Sequence, residues 1–222
     1  MKTKILAIFA ALLMSIGLLA AAIYVPATAS WVMQPLMQRF APPEETGLPA
    51  AEYAPVVDMI TGYLRGGNHA FQHVFTMDGA EYAAFNQKEQ HHMADVQGLF
   101  WMCRFVIWLC GGVVILGGLS ARRKIPWRTF RLTLLVVLAV VTVIVVLAAI
   151  DFNSLFILFH KVAFTNDLWL LDPRTDMLIR LMPLEFFISY AAIIGCCWLL
   201  GMAALLAGCT VLINKQKRAE GE

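Results

Sequence analysis

Charge is scarce in this sequence. Its 222 residues hold 17 Lys and Arg and 15 Asp and Glu, 14% in all, where an ordinary soluble domain carries roughly 25%. With 60% apolar residues and a mean hydropathy of +0.71, a core surrounded by water is excluded as the whole architecture, and so is disorder. Glycine (15) and proline (9) are too few for collagen-like or low-complexity chain. No glycine-rich phosphate loop occurs, so a bound nucleotide is not expected. The net charge of +2 is not gathered into a basic stripe, which argues against a nucleic-acid partner. The five cysteines, Cys103, Cys110, Cys196, Cys197 and Cys209, all fall in apolar runs and none in the stretches between. A disulfide framework is therefore not expected, and Cys103 and Cys110, seven apart, read as small packing residues.

Long apolar runs are plentiful. A bilayer core of about 30 Å takes roughly 20 helical residues, and four runs reach that length: 5–24, 99–119 with Arg104 near its start, 132–150 with no charge, and 187–213. Their backbones must be satisfied within the segment, so helix is expected even through the β-branched 141–146. Ten of the seventeen basic residues lie at the two ends or in 120–131. By the positive-inside rule, residues 120–131 and the tail 214–222 are cytoplasmic, as are both termini. Residues 25–98 (8 acidic, 3 basic) and 151–186 (5 acidic, 3 basic) then face outward. Ala27-Thr28-Ala29 resembles a signal-peptidase site, but the preceding run exceeds the usual 7–15 residues of a signal core, so 1–24 is read as a retained anchor. The expected fold is an all-α, multi-pass integral membrane protein with four transmembrane helices and an extracellular cap between the first two. The pattern specifies no oligomeric state.

Residues 25–98 are too long for a plain connection and hold eight aromatics, enough for a folded cap. Val56, Met59, Ile60 and Tyr63 recur at helical spacing up to Gly66-Gly67. Residues 86–98 are helix-competent and can run straight into the second membrane helix. Within them, Glu89, His92 and Asp95 are spaced i, i+3, i+6 on one side of that helix, so either carboxylate is a candidate to orient His92. Two solvated histidines on a juxtamembrane helix account for the same spacing. His69, His73 and His91 read as solvated cap residues.

The second outer segment carries Phe159-His160, with 151–160 expected to continue from the charge-free membrane helix and to leave His160 near the membrane surface. Asn166 and Asp167 follow as candidates to hydrogen-bond a polar ligand or His160, or to cap a helix. Trp169 reads mainly as an interface anchor, and Arg104 either snorkels or pairs with Asp95 or a lipid phosphate.

These motifs together, Glu89-x-x-His92-Met93-x-Asp95-Val96 followed by Phe159-His160, Phe164, Asn166-Asp167, Trp169, Leu171-Asp172-Pro173, Thr175-Asp176, Leu178-Ile179, Pro183 and Phe186-Phe187, resemble the signature of the bacterial lipoprotein intramolecular transacylases. The likeness extends over essentially the whole chain. It implies an acyltransferase of the bacterial cytoplasmic membrane, acting at the outer leaflet surface on diacylated bacterial lipoproteins and membrane lipid. The sn-2 acyl chain of the diacylglyceryl-cysteine moves to the α-amino group, with His92 and His160 as catalytic pair and no cofactor or metal.

Two other classes fit parts of the sequence. Glu89-x-x-His92 is half of a di-metal carboxylate motif, and His160 can add a ligand for a membrane hydrolase, although the second Glu-x-x-His is absent. A non-enzymatic membrane accessory protein is the third reading. Transport is disfavoured, since Arg104 is the one charge inside a spanning run and no pair of broken helices marks inverted repeats.

Overall fold

The computed structural model describes residues 1–67, 70–119 and 125–220. His69 and the loop residues Arg122, Arg123 and Lys124, to which the sequence assigns roles, lie outside them. Four helices are long and apolar enough to cross a membrane: α1 (Lys2–Ala27), α5 (Gln87–Leu119), α6 (Trp127–Ile150) and α9 (Leu184–Glu220). Between and beside them lie α2 (Ser30–Phe40), α3 (Pro43–Thr46), α4 (Tyr53–Leu64), strands β1 (Val74–Met77) and β2 (Ala80–Ala83), α7 (Phe152–Ala163) and α8 (Met177–Leu181). The protein is thus a mostly helical, multi-pass membrane protein. Its chain divides into two units, one of Met1–Ala22, Cys103–Ile150 and Ile194–Glu222, the other of Ile23–Met102 and Asp151–Ile193.

The first unit turns large apolar side chains outward. Trp108 is 77% exposed and Ile150 76%, a surface that only an apolar solvent tolerates. Its interior is built from small residues and a few large ones: Ala7 and Ala11 of α1, Phe130 and Leu134 of α6, Trp198 and Met202 of α9. Close helix approach needs such small residues, and Gly17 shows why, because a Cβ there would lie 2.7 Å from the sulfur of Cys110. The Cys110 thiol donates to the Leu13 carbonyl at 3.2 Å, and the Trp198 indole N–H donates to that of Ser15 at 3.2 Å. All five cysteines are free thiols, and Cys110 is the packing residue its setting suggested.

The second unit has an ordinary apolar core, drawn from Met33 and Met37 of α2, Tyr53, Val56, Val57 and Ile60 of α4, Phe71, Phe75 and Phe85 around the strands, Met93 of α5, Leu178 and Leu181 of α8, and Phe186 and Tyr190 of α9. The Tyr53 hydroxyl is bonded inside that core to the Ala41 carbonyl and to the Thr46 hydroxyl. Helix α4 ends at Leu64, with Gly66 at φ 79°, the stop that Gly66-Gly67 announces.

The all-helical expectation fails at one place. Residues 74–83 form a two-stranded antiparallel hairpin, Val74 opposite Ala83 and Phe75 opposite Tyr82. Its turn uses Asp78 and Gly79, both at positive φ (52° and 78°), the conformation that lets an Asp-Gly pair close a two-residue hairpin. A further difference lies at Asp151. Instead of extending α6, this residue leaves helical geometry and its carboxylate caps a new helix, accepting from the Ser154 N–H at 3.0 Å. His160 therefore stands on a separately capped helix.

Candidate active site

His92 lies in the first turns of α5, in 87–98, which carry Lys88, Glu89 and Asp95 and precede the apolar run. His160 lies in the last turn of α7. Although 68 positions separate them in the sequence, the two imidazole ring centroids are 6.1 Å apart. Both side chains belong to the second unit and both are buried, His92 7% and His160 8% exposed. Aromatic rings enclose them: Phe164 stands edge-on to His92 at 5.2 Å, while Phe156 at 4.3 Å and Trp169 at 5.1 Å cover His160.

The tautomer of His160 is set by its own helix. Its Nδ1 lies 2.7 Å from the Phe156 carbonyl, and a carbonyl oxygen has no hydrogen to give, so Nδ1 carries the proton and Nε2 keeps the lone pair. Nδ1 of His92 is buried and meets no hydrogen-bond partner among the described residues, an uncommon state for a polar atom in a protein interior. Both rings resist protonation. Burial first, then the neighbouring His160, pushes the pKa of His92 from 6.5 to about 4, against the opposing pull of Asp95. Burial likewise lowers His160, and the hydrogen bond to Phe156 opposes that shift. At neutral pH the site holds two neutral imidazoles that together can accept one proton and donate another.

The flanking candidates sit differently from what spacing alone suggests. Glu89 is 1% exposed and does not bond to His92. It closes a capping box with Asn86, accepting from the Asn86 N–H at 2.8 Å while its own N–H donates to the Asn86 side chain at 3.1 Å. Its other oxygen accepts from the Leu178 N–H, and burial raises its pKa against those two bonds. Asp95 is likewise not bonded to His92. Its carboxylate accepts from the Asn166 amide at 2.9 Å, and its influence on His92 is through space. Asn166 also accepts from the Leu168 N–H at 3.1 Å, closing a turn instead of capping a helix. Trp169 is a wall of the histidine pair through its ring contact with His160. Asp167 lines, with Lys161, Phe164, Thr165, Asn166 and Trp169, a cleft of about 530 Å³ that shares Phe164 and Trp169 with the pair. Arg104 stands half-buried in the apolar part of α5.

Of the remaining histidines, His91 is exposed. His73 bonds to Glu52 at 2.8 Å and stacks near Phe75, so it is partnered where the sequence suggested a solvated residue. Among the described residues no three His, Cys, Asp or Glu side chains gather into a group able to hold a metal ion. Sequence reasoning missed Phe156 and Asn86, and named Asp176 within the signature without giving it a role. The Asn-x-x-Glu box was a readable signal for Asn86; the bond from His160 to Phe156 follows from i to i−4 geometry once α7 is known to be a helix.

Against known proteins, residues 8–187 match the model of the family described as lipoprotein intramolecular transacylase Lit. No curated protein sequence matches the chain. Among solved structures, the membrane-integral lipoprotein intramolecular transacylase Lit from Bacillus cereus superposes with a TM-score of 0.78 at 20% identity, covering 98% of each chain. A form of that same Bacillus cereus protein with one histidine replaced by arginine matches with a TM-score of 0.74 at 19% identity, covering 98% of this chain and 95% of that one. At such identities the structural likeness speaks for the fold.

Proposed function

The chain belongs to the lipoprotein intramolecular transacylase family, and from that premise we propose that it moves the sn-2 acyl chain of a diacylglyceryl-cysteine to the α-amino group of the same cysteine, leaving a lyso-form lipoprotein. The observation that carries the residue assignment is the pair of buried, neutral imidazoles 6.1 Å apart within aromatic walls.

The chemistry balances without a co-reactant. The amine nitrogen attacks the ester carbonyl carbon, a C–N bond forms, and the bond from that carbon to the sn-2 glyceryl oxygen breaks. His160, with Nδ1–H held by the Phe156 carbonyl, offers the Nε2 lone pair and takes the proton released by the amine. His92, a neutral imidazole with one N–H, donates a hydrogen bond to the developing oxyanion. The proton that His160 took from the amine then passes from its Nε2 to the departing glyceryl oxygen, which leaves as a hydroxyl and returns both rings to the neutral state, while the unpartnered Nδ1 of His92 finds a partner in the bound head group. Because amine and ester share one molecule, the main task is to fold the head group into attacking geometry, a form of positioning worth roughly 7–11 kcal/mol in well-oriented intramolecular reactions. The aromatic walls exclude the water that would otherwise hydrolyse the ester. Asp95 and Asn166 support the His92 side of the site, and the adjoining cleft with Lys161 and Asp167 receives the polar part of the head group.

The distribution of Lys and Arg supports a cytoplasmic-membrane orientation with both termini inside, an extracellular cap and the histidine pair at the outer leaflet surface. In a bacterium that makes diacylated lipoproteins, expression of this protein is expected to convert them to the lyso form, read by mass spectrometry of the N-terminal lipopeptide. Activity is expected to survive a chelator, which distinguishes acyl transfer from a metal hydrolase. Unchanged lipopeptide in the presence of folded protein would overturn the proposal.

A further inference from the structure

Two carboxylates are buried in the second unit without touching either histidine. Glu89 is 1% exposed and Asp176 3%, and removing each from water costs several kcal/mol that its partners must offset. Their bonds converge on one seam. The Asn86 amide donates to one oxygen of Asp176 at 2.8 Å, joined there by the Thr175 hydroxyl at 2.9 Å. The other oxygen accepts from the Asp172 N–H at 2.8 Å and has the Lys88 ammonium 3.8 Å away. Glu89 holds the Asn86 N–H on one side and the Leu178 N–H, at the start of α8, on the other. Lys88 also donates to the Leu170 carbonyl, next in the chain to Trp169. The first turn of α5 is thus bonded at both ends of the segment that follows Trp169, one turn of helix before His92.

Apolar contacts already hold α8 in this core through Leu178 and Leu181, and a buried polar set is seldom more stable than apolar packing of equal volume. What directional bonds add is a fixed register. We propose that Asn86, Glu89 and Asp176 are positioning residues, a latch that fastens the 169–176 segment to the turn bearing His92 and so holds Trp169 over His160. This rests on the assignment of His92 and His160 as the reacting pair. The latch touches no reacting atom; it acts through the aromatic wall that keeps water from the imidazoles.

That mode of action has its own signature. The charges that bear on His92 are those of His160, Asp95 and Lys88, while His160 is shifted by burial and by its bond to Phe156; neither latch carboxylate is among these influences. If Glu89→Gln or Asp176→Ala loosens the wall, His160 rehydrates and its pKa returns toward the ordinary imidazole value near 6.5. The test compares transacylation of a synthetic diacylated lipopeptide across pH for the wild type, Glu89→Gln, Asp176→Ala and the conservative Asp176→Asn. It includes Asn86→Ala, which alters an exposed, uncharged side chain and leaves Asp176 its bonds from the Thr175 hydroxyl and the Asp172 N–H. The expected result is a fall in kcat of about 10- to 100-fold with KM near wild type, an acid limb moved to higher pH, and partial rescue in Asp176→Asn. Wild-type kcat in Asn86→Ala, or reduced kcat with an unmoved acid limb, overturns the latch and leaves the histidine pair standing. A wild-type protein that makes no lyso-form instead removes the functional reading beneath it.

Discussion

Cys110 and Glu89 are both buried side chains of α5, and they are buried for opposite reasons. Around Cys110 the packing is a matter of volume. Small residues let helices approach, and the thiol fills a gap where a Cβ on Gly17 would collide. Around Glu89 the packing is a matter of direction, since each oxygen meets a particular N–H. In the first unit lipid supplies no hydrophobic drive between helices, so close fit does the work. In the second, an ordinary apolar core supplies cohesion and polar bonds fix where two histidines stand. The first unit should therefore be sensitive to size, and the second to chemistry at constant size.

Replacing His160 by Ala is expected to have the largest effect, a loss of about 10²- to 10⁴-fold in transacylation with little change in thermal stability, measured by lipopeptide mass spectrometry beside a melting curve. A like loss of stability in place of activity would erase the contrast. Next comes the pH dependence of stability. The folded state holds both histidines below the free imidazole pKa, so stability is fully present above about 6.5 and is lost as pH falls through that value toward the folded pKa of about 4 for His92. The loss attributable to His92 is on the order of 2–3 kcal/mol, and His92→Phe should flatten the melting temperature between pH 7 and pH 4.

Gly17→Ala tests the other side of the contrast. The added methyl meets Cys110 and should cost about 1–3 kcal/mol, with kcat per folded molecule unchanged and recovery in the double variant Gly17→Ala, Cys110→Ala. The smallest effect belongs to Arg174→Ala. Its pair with Asp172 is short, 2.6 Å, but exposed, and solvent and side-chain entropy cancel most of what such a pair contributes; melting temperature and activity should stay near wild type.

The two regions also differed in how far the sequence disclosed them. Membrane helices are legible because lipid imposes one rule on every residue of a span, and the four apolar runs correspond to α1, α5, α6 and α9. The histidines were legible as candidates, since two lie beside aromatic-rich stretches, but that His160 stands on its own helix depends on one side chain, the Asp151 cap. Glu89 shows the limit most clearly. Its i, i+3 relation to His92 invited an orienting role, whereas the competing capping box with Asn86 claimed one oxygen and the start of α8 the other. The hairpin's signal, Asp78-Gly79, is local to a two-residue turn between four-residue strands and lies outside the helical periodicity that marks the rest of the chain.

The central claim is that His92 and His160 act as one unit on a single proton-handling reaction. A double-mutant cycle measures this directly: transacylation rates for the wild type, His92→Ala, His160→Ala and the double variant, on the same lipopeptide at pH 7.5. The account predicts strong non-additivity, with the double variant losing little more than either single one. Losses that multiply, each histidine costing the same whether or not the other is present, would contradict it.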